Sequence, residues 1–263
     1  LNILDKKSHD SDDVLTLAEF IEGVSAVIVD EVHMAKADVL KKLLTVNFAN
    51  SPIRWGLTGT IPKSEFDFKA LFVSLGPVIN KLAASTLQEK GVLANCHVNI
   101  VQFQDHVEFT NYQSELKHLL EDKTRLDAIA ELILKIKDSG NTLILVDRVN
   151  AGKELIDRLP NAVFVSGETK LTERKEEYDE VATSSDKVIV ATYGVAAVGI
   201  NIPRIFNLVL VEPGKSFVRV IQSIGRGIRK AEDKDFVQIW DITSTCKYAK
   251  RHLTERKKYY KEA

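Results

Sequence analysis

The chain has 263 residues, of which 44% are apolar and 28% charged, and this composition fits one large or two ordinary globular domains. It excludes a disordered tail and a fibrous repeat. The 36 Lys and Arg residues nearly balance the 37 Asp and Glu residues, so any nucleic-acid binding must depend on local patches rather than on a globally basic surface.

Cysteine usage and hydropathy bear on the compartment. Cys96 and Cys246 show no CxxC or zinc-ligand spacing, which favours a reducing compartment. The apolar stretches are far shorter than the roughly 20 residues needed to cross a bilayer, and residues 1–13 show no signal-peptide pattern. We expect a soluble, cytoplasmic protein that does not contact membranes.

Short β-branched runs alternate with amphipathic stretches along the chain, an order typical of βαβ units around a parallel sheet. Most of the predicted strands are apolar at every position, as buried central strands are. The predicted strands are 24–30, 54–58, 97–103, 141–146, 162–167, 187–192, 207–212 and 236–242. Helices are predicted over 125–137, 151–159, 171–182 and 247–263.

The predicted strands fall into two groups. Those from residue 141 onward complete an α/β domain, whereas the strands before residue 84 make only half a sheet. Gly91 and Asn95 punctuate a loop before a new strand, so we place the boundary near Asn95. The predicted fold class is α/β, with domains at 1–95 and 96–263.

An apolar strand ends at Val29 in two adjacent carboxylates, Asp30 and Glu31, followed by His33. Parallel sheets bind ligands at the carboxyl ends of their strands. One acid there can hold Mg²⁺ and its neighbour can activate a water molecule, as in the second acidic motif of P-loop NTPases. We assign the metal to Asp30 and water activation to Glu31; the alternative is a plain acidic turn.

Two arginines three positions apart, Arg226 and Arg229, follow Gln222. On a helix these positions share a face, and the planar guanidinium fork matches phosphate oxygens. A solvated basic helix end is the alternative. Gly225 and Gly227 argue against it, because each costs roughly 1 kcal/mol in a helix interior.

Small residues follow two other predicted strands. Thr58, Gly59 and Thr60 suit a tight turn near phosphates, although a turn without function explains them as well. Residues 192–203 are rich in small side chains, which let backbone N–H groups approach phosphates; a close-packed buried helix is the alternative.

These segments together resemble the superfamily 2 helicases and translocases, in the branch with DExH-type acidic motifs. Their pattern is most similar to the UvsW-type recombination helicases of phages, and less so to the repair helicase XPB and to restriction-enzyme motor subunits. Residues 30–33 look like motif II, 58–60 like motif III, 143–149 like motif IV, 192–203 like motif V and 222–229 like motif VI.

The resemblance implies two RecA-like domains in tandem, the first incomplete at its N-terminus, with ATP and Mg²⁺ bound in the cleft between them. It assigns Mg²⁺ to Asp30 and the attacking water to Glu31, and it places Arg226 and Arg229 at the γ-phosphate, with Arg229 as the arginine finger. It also implies that His33 and Gln222 couple the cleft to the nucleic-acid face, and that Thr58 and Thr60 link nucleotide state to domain motion. Gly199 and Asn201 would touch ATP or its ribose side. The residues implied to hold a single strand of DNA are Arg148, Ser166, Gly167, Thr192, Tyr193 and Gly194.

The chain departs from the family pattern at two points. Asn201 stands where motif V commonly has an acid, and no GxxxxGK[ST] phosphate-binding loop occurs; Gly152-Lys153 is the nearest dipeptide, but Glu154 follows it. Without that loop the backbone cradle and lysine for the phosphates are missing, so we expect this chain alone to be inactive as an ATPase. The missing loop belongs N-terminal to Asp30, where the predicted sheet is half built and the sequence begins with Leu1 rather than Met, so we expect the chain to be part of a longer helicase.

The expected function is that of an ATP-dependent DNA helicase or translocase. It would act as a monomer on branched or duplex DNA in recombination, repair or replication, in the host cytoplasm if a phage encodes it. The alternatives are a non-catalytic nucleic-acid-binding module that has lost its ATPase half, and an RNA helicase.

The last predicted helix, 247–263, interleaves basic residues with Tyr248, Tyr259 and Tyr260. This pattern suits a phosphate backbone with stacked bases. A solvated terminal helix whose tyrosines pack on the domain explains it equally well.

Overall fold

The computed structural model describes residues 16–34, 38–59, 61–62, 64–199, 204–215 and 236–260. It divides into two compact units, Leu1–Lys81 and Leu82–Ala263. The division lies ahead of the boundary predicted near Asn95. The reason is that Ala94 is buried and Leu93 packs against the core of the second unit, so the segment before Asn95 goes with that unit.

The first unit contains a two-stranded parallel sheet. Strand β1 (Ala26–Val29) pairs with β2 (Ile53–Gly56), with Ile28 opposite Trp55. Its helices are α1 (Leu17–Ile21), α2 (Asp38–Lys42) and α3 (Glu65–Leu75), with a 3₁₀ turn at Val32–Met34 and a π-helical turn at Leu43–Asn47. Both strands predicted for this part of the chain are present.

The small sheet of the first unit has large exposed apolar side chains. Parallel strands are ordinarily covered on both faces, yet Ile28 is 59% and Trp55 52% exposed. The buried apolar side chains of this unit include Val32, Leu44 and Phe48. Among the described residues, this small sheet therefore presents apolar side chains to solvent.

The second unit is a six-stranded parallel sheet in the order β3-β8-β7-β4-β6-β5. Its strands are β3 (Asn95–Phe103), β4 (Thr142–Val146), β5 (Val163–Val165), β6 (Val188–Thr192), β7 (Asn207–Val211) and β8 (Phe236–Ser244). Its helices are α4 (Ala84–Glu89), α5 (Tyr112–Glu121), α6 (Lys123–Ile136), α7 (Val149–Ile156), α8 (Leu171–Thr183), α9 (Tyr193–Gly199) and α10 (Lys247–Tyr260), with a 3₁₀ turn at Lys137–Ser139. The predicted strands and helices of this region are confirmed, except that residues 261–263 of the last predicted helix lie outside the described residues.

Two apolar clusters cover the two faces of this sheet. Every residue of β4 is buried, with Leu143 and Leu145 in one cluster and Ile144 and Val146 in the other. This alternation follows from the pleat, which sends successive side chains to opposite faces. The α/β fold class predicted from the uninterrupted apolar runs is confirmed.

The buried side-chain amide of Asn141 links the segments at the amino ends of the central strands. The Asn141 side chain is 0% exposed, and its Nδ2 donates to the carbonyl oxygens of Val181, Ser184 and Arg204 at 3.0, 2.9 and 3.1 Å. Its Oδ1 accepts from the backbone N–H of Lys187 at 2.9 Å. One side chain therefore joins the segments that precede β4, β6 and β7.

Among the described residues, no helix is both long and apolar enough to cross a membrane.

Candidate nucleotide site and nucleic-acid interface

The two carboxylates predicted to serve nucleotide chemistry lie in the turn that follows β1. The backbone N–H of Glu31 donates to Asp30 Oδ1 at 2.8 Å, and Glu31 has φ of 49°, in the left-handed region that non-glycine residues seldom occupy. The turn is fixed to β2, because Leu57 N–H donates to Val29 O at 2.8 Å and Val32 N–H donates to Leu57 O at 2.9 Å. Strained backbone of this kind is found at functional sites more often than elsewhere.

His33 joins the acidic turn to the segment after β2. It is 8% exposed, and its Nδ1 lies 2.8 Å from Thr58 Oγ1 and 3.3 Å from Glu31 Oε2. The contact exists because β1 and β2 are parallel neighbours, so that the residues following both strands meet at one edge of the sheet. The segments resembling motifs II and III are therefore in direct contact.

The donor set at the acidic turn fits a magnesium ion that is held mainly by other ligands. Asp30 and Glu31 are both exposed. The described parts of the chain contain no group of three or more His, Cys, Asp or Glu side chains that could enclose a metal. Mg²⁺ commonly takes one or two carboxylates and completes its octahedron with phosphate oxygens and water, which is what Asp30 can offer.

Several predicted site residues lie outside the described residues: Thr60, Asn201, Gln222, Arg226 and Arg229. Gly199 is the last residue of α9. The roles assigned to these six residues stay predictions.

Gly152 is a packing residue inside α7. It is buried, and a Cβ at this position would lie 2.2 Å from the Phe164 ring. The close approach of α7 to β5 therefore requires glycine here, which agrees with the rejection of Gly152-Lys153 as part of a phosphate loop.

The predicted nucleic-acid residues follow β4, β5 and β6, which are neighbours in the order β4-β6-β5. The topology therefore brings Arg148, Gly167 and Gly194 to one edge of the second sheet. Gly167 and Gly194 are exposed, and neither has another atom within 4 Å of where a Cβ would be. Backbone at such positions is open to a close ligand.

The loop after β5 is held in shape by side chains. Ser166 is 4% exposed; its backbone N–H donates to Thr169 Oγ1 at 3.0 Å, and its Oγ accepts from Glu168 N–H at 3.3 Å. Arg174 Nη2 donates to Gly167 O at 2.9 Å, and Arg174 Nε donates to Thr169 O at 2.7 Å. Ser166 and Arg174 thus orient the loop, and the exposed Gly167 is left as the residue a strand can reach.

Three other predicted nucleic-acid contacts, Tyr193, Arg148 and Thr192, differ in how far their side chains are exposed. Tyr193 is 4% exposed, and its hydroxyl lies 3.4 Å from Val211 O, so its ring belongs to the core. Only its backbone remains available to nucleic acid. Arg148 is half-buried and its Nη2 donates to Gln113 Oε1 at 3.1 Å, while Thr192 is a half-buried residue at the end of β6.

A buried ionic cluster beside the end of β7 was not predicted from the sequence. Arg125 donates to Glu212 at 2.5 Å and to Asp105 at 3.1 Å, and also to the carbonyl oxygens of Leu119 and Thr243. Glu212 has φ of 45°. Burial raises the pKa of Glu212 to about 7, against the opposing effect of Arg125. The sequence did contain a signal for this cluster, because Glu212 follows a buried strand just as Asp30 follows β1.

A second buried ionic cluster fastens α10 to the sheet. Arg256 is 1% exposed and forms a two-pronged pair with Asp241, with Nε and Nη2 donating at 2.7 and 2.8 Å. Arg256 Nη1 also donates to Gly214 O at 2.6 Å, and the Tyr260 hydroxyl donates to Asp241 at 2.5 Å. Burial and the Asp241 charge raise the pKa of Tyr260 above its ordinary value.

Residues 124–231 match the family described as the helicase conserved C-terminal domain. The ATP-dependent DNA helicase uvsW of Enterobacteria phage T4 is 26% identical over 252 residues, a match covering 92% of this chain and 50% of the phage protein.

Two solved structures have a similar fold. The crystal structure of T4 UvsW has a TM-score of 0.56 at 20% identity and covers 93% of this chain and 53% of its own. S. cerevisiae Dbp5 bound to RNA and ADP BeF3 has a TM-score of 0.57 at 15% identity and covers 91% of this chain and 58% of its own. At these identities the structures support the RecA-like fold alone.

Residues 124–231 are therefore similar to a helicase C-terminal domain, and the parallel sheet of the second unit is RecA-like. The resemblance to superfamily 2 helicases of the UvsW type, drawn from the motifs, is confirmed. The chain spans about half the length of the T4 relative.

Proposed function

We propose that the chain forms part of an ATP-dependent DNA helicase or translocase that acts on branched or duplex DNA. The observation that carries this proposal is the contact of His33 with both Thr58 and Glu31, at 2.8 and 3.3 Å. A merely acidic turn has no need of a buried histidine that joins its carboxylate to the next strand of the sheet.

The residues of the acidic turn have distinct roles in this proposal. Asp30 holds Mg²⁺, and bound Mg·ATP supplies the phosphoryl group and its charge neutralisation. Glu31 positions the attacking water and accepts its proton. His33 senses the position of Glu31 and transmits it to Thr58, because its Nδ1 is within reach of both side chains.

The nucleic acid follows the edge of the second sheet where Gly167 and Gly194 are exposed. Backbone N–H groups and small residues contact phosphates without reading sequence. Arg226 and Arg229 of motif VI are assigned to the γ-phosphate in this proposal, as the resemblance implies. The phosphate-binding loop, which is absent from these 263 residues, has to be supplied by other polypeptide for ATP to be hydrolysed.

The test of the proposal is Glu31→Gln in the protein that includes its phosphate-binding loop. We expect the DNA-stimulated ATPase kcat to fall at least ~100-fold, with nucleotide affinity retained, because the amide cannot accept a proton. Glu22→Gln is the matched control, since Glu22 is an exposed residue of the same unit outside the acidic turn. Unchanged ATPase activity in the Glu31 variant would refute the assignment.

The absence of a GxxxxGK[ST] loop from the 263 residues favours one alternative, a non-catalytic nucleic-acid-binding module. In that case DNA affinity would not change with ATP, ADP or an ATP analogue in any form of the protein. An RNA helicase would instead prefer RNA over DNA of the same sequence, which paired binding titrations at fixed salt measure.

A further inference from the structure

Helix α10 has two faces of opposite character. Ala249, His252, Leu253 and Arg256 are buried against the second unit. Exposed cations occupy the other side of the helix, and we call them the basic face: Lys247, Lys250, Arg251, Lys257 and Lys258. At 3.6 residues per turn these five positions fall within an arc of about 120°, and they extend over about 16 Å of the helix axis.

The cations of the basic face are largely uncompensated. Within the described part of the chain, Lys250, Arg251 and Lys257 have no carboxylate at ion-pair distance, whereas Lys258 pairs with Glu255 at 3.0 Å. Some other long cations of this unit are paired: Arg158 contacts Asp127 and Glu154, and Lys187 contacts Glu177 and Glu180. On α10, by contrast, five exposed cations share one face with a single ion pair among the described residues, in a chain of net charge −1.

The local electrostatics agree with this charge distribution. Burial, together with the charges of Arg256, Lys215 and Arg251, lowers the pKa of His252 to about 4. Lys215, an exposed residue that follows β7, is thus one of the cations near His252.

The chemistry of the basic face selects its partner. A protein-binding surface has an apolar centre in which aromatic residues are enriched and Lys is depleted. The basic face is built from Lys and Arg, and Thr254 is its uncharged exposed residue. The hydroxyls of Tyr248 and Tyr260 are bonded to Thr110 O and Asp241, so these two tyrosines pack on the domain and do not stack on bases. Because the basic face carries positive charge and no apolar anchor residue, it fits a phosphodiester backbone.

The orientation of the basic face is fixed by the buried side of the helix. Arg256 is bonded to Asp241 on β8 and to Gly214 after β7, so α10 cannot roll on the sheet without breaking buried ion-pair contacts. The cations are thus held on a rigid element, as a site that follows the regular phosphate spacing of a strand requires.

We propose that the basic face of α10 is a sequence-independent binding surface for the DNA phosphodiester backbone, separate from the strand contacts after β4, β5 and β6. This inference rests on the proposed DNA helicase function and adds a second contact region to it. The 16 Å length corresponds to about five nucleotides of one strand at 3.4 Å each.

The test compares two triple variants of the full chain with equal charge change. Lys250→Gln, Arg251→Gln and Lys257→Gln together remove the centre of the basic face. Lys123→Gln, Lys135→Gln and Lys175→Gln remove three exposed lysines from α6 and α8. Dissociation constants are measured between 50 and 200 mM salt for a duplex oligonucleotide and for one of its strands, and thermal unfolding verifies that both variants are folded.

If the basic face contacts three phosphates, the log–log salt dependence of duplex binding falls by about 2.7 in slope, or by about 2.1 for the single strand. The wild-type chain then loses about 40-fold more duplex affinity than the basic-face variant over this salt range. The control variant keeps the wild-type slope. A change on only one of the two DNA forms supports the proposal and identifies the form bound.

Equal loss in both triple variants overturns the proposal, because a general field effect then explains it. An unchanged slope in the basic-face variant, with DNA still bound, overturns the proposal and leaves the proposed helicase function intact. Failure of the wild-type chain to bind either DNA form overturns both.

Discussion

The buried pair of Arg256 and Asp241 gives the sharpest stability prediction. Arg256→Met removes three hydrogen bonds of 2.6 to 2.8 Å and leaves Asp241, which is 0% exposed, with the Tyr260 hydroxyl as its remaining side-chain donor. Removing one partner of a buried ion pair costs about 3–5 kcal/mol, because a charge is left without compensation in a medium that solvates it poorly. We expect the free energy of unfolding of the second unit to fall by that amount.

A double variant separates the charge effect from lost packing. Adding Asp241→Asn to Arg256→Met removes the stranded charge, so the double variant should be less destabilised than the sum of the two single variants by about 2 kcal/mol or more. Arg158→Met is the matched control. Arg158 pairs at the surface with Asp127 and Glu154, so we expect Arg158→Met to lower the free energy of unfolding by about 0–1 kcal/mol.

Urea unfolding followed by tryptophan fluorescence is the assay. The chain has two tryptophans, Trp55 in the first unit and Trp240 in the second, so a Trp55→Phe background makes fluorescence report the second unit. The midpoint should move while the slope with urea stays constant. A loss below about 1 kcal/mol for Arg256→Met, or additive losses in the double variant, would refute the reasoning.

Two further predictions concern buried polar groups. Asn141→Ala should lower the free energy of unfolding, measured by the same urea titration, by about 2–4 kcal/mol, because it leaves the Lys187 N–H and three carbonyl groups without their buried partner. The control is Asn150→Ala, at an exposed position of α7, which should change the free energy of unfolding by less than about 0.5 kcal/mol. Glu212 has a folded pKa of about 7 against an ordinary value of 4.5, so the stability it contributes is complete below pH 4.5 and is lost as the pH rises through 7. The wild-type chain should therefore lose up to about 3 kcal/mol of stability across this range, and Glu212→Gln should abolish that part of the pH dependence; an identical pH profile in both proteins would contradict it.

The sheet was predictable because buried parallel strands are nearly uniform in hydropathy. Val188–Thr192 and Asn207–Val211 are short apolar runs bounded by polar residues, and both appear within a residue or two of their predicted limits. The division between the units was harder to place. Leu93 packs against a core cluster formed mainly by residues that come much later in the sequence, and no local pattern shows this.

The acidic site was predictable for a related reason. Adjacent parallel strands deliver the residues that follow them to one edge, so Glu31, His33 and Thr58 could be expected together once their motifs were placed on strands. Tyr193 shows where this logic fails. It also follows a strand, but its ring turns into the core, and nothing in the small-residue segment distinguishes backbone exposure from side-chain exposure.

The buried ion pairs were missed because a single sequence does not reveal which cation of an amphipathic helix faces inward. Arg256 lies among Lys257, Lys258 and other basic residues, and the sequence pattern does not distinguish it from them. Its burial follows from helical position, since it shares a face with Leu253 and Ala249. The same geometry that hides Arg256 leaves Lys250, Arg251 and Lys257 on the outside. The buried pair and the basic face are therefore two consequences of one helix orientation, and loosening the Arg256–Asp241 pair should weaken DNA binding by α10 even though Arg256 itself contacts no phosphate.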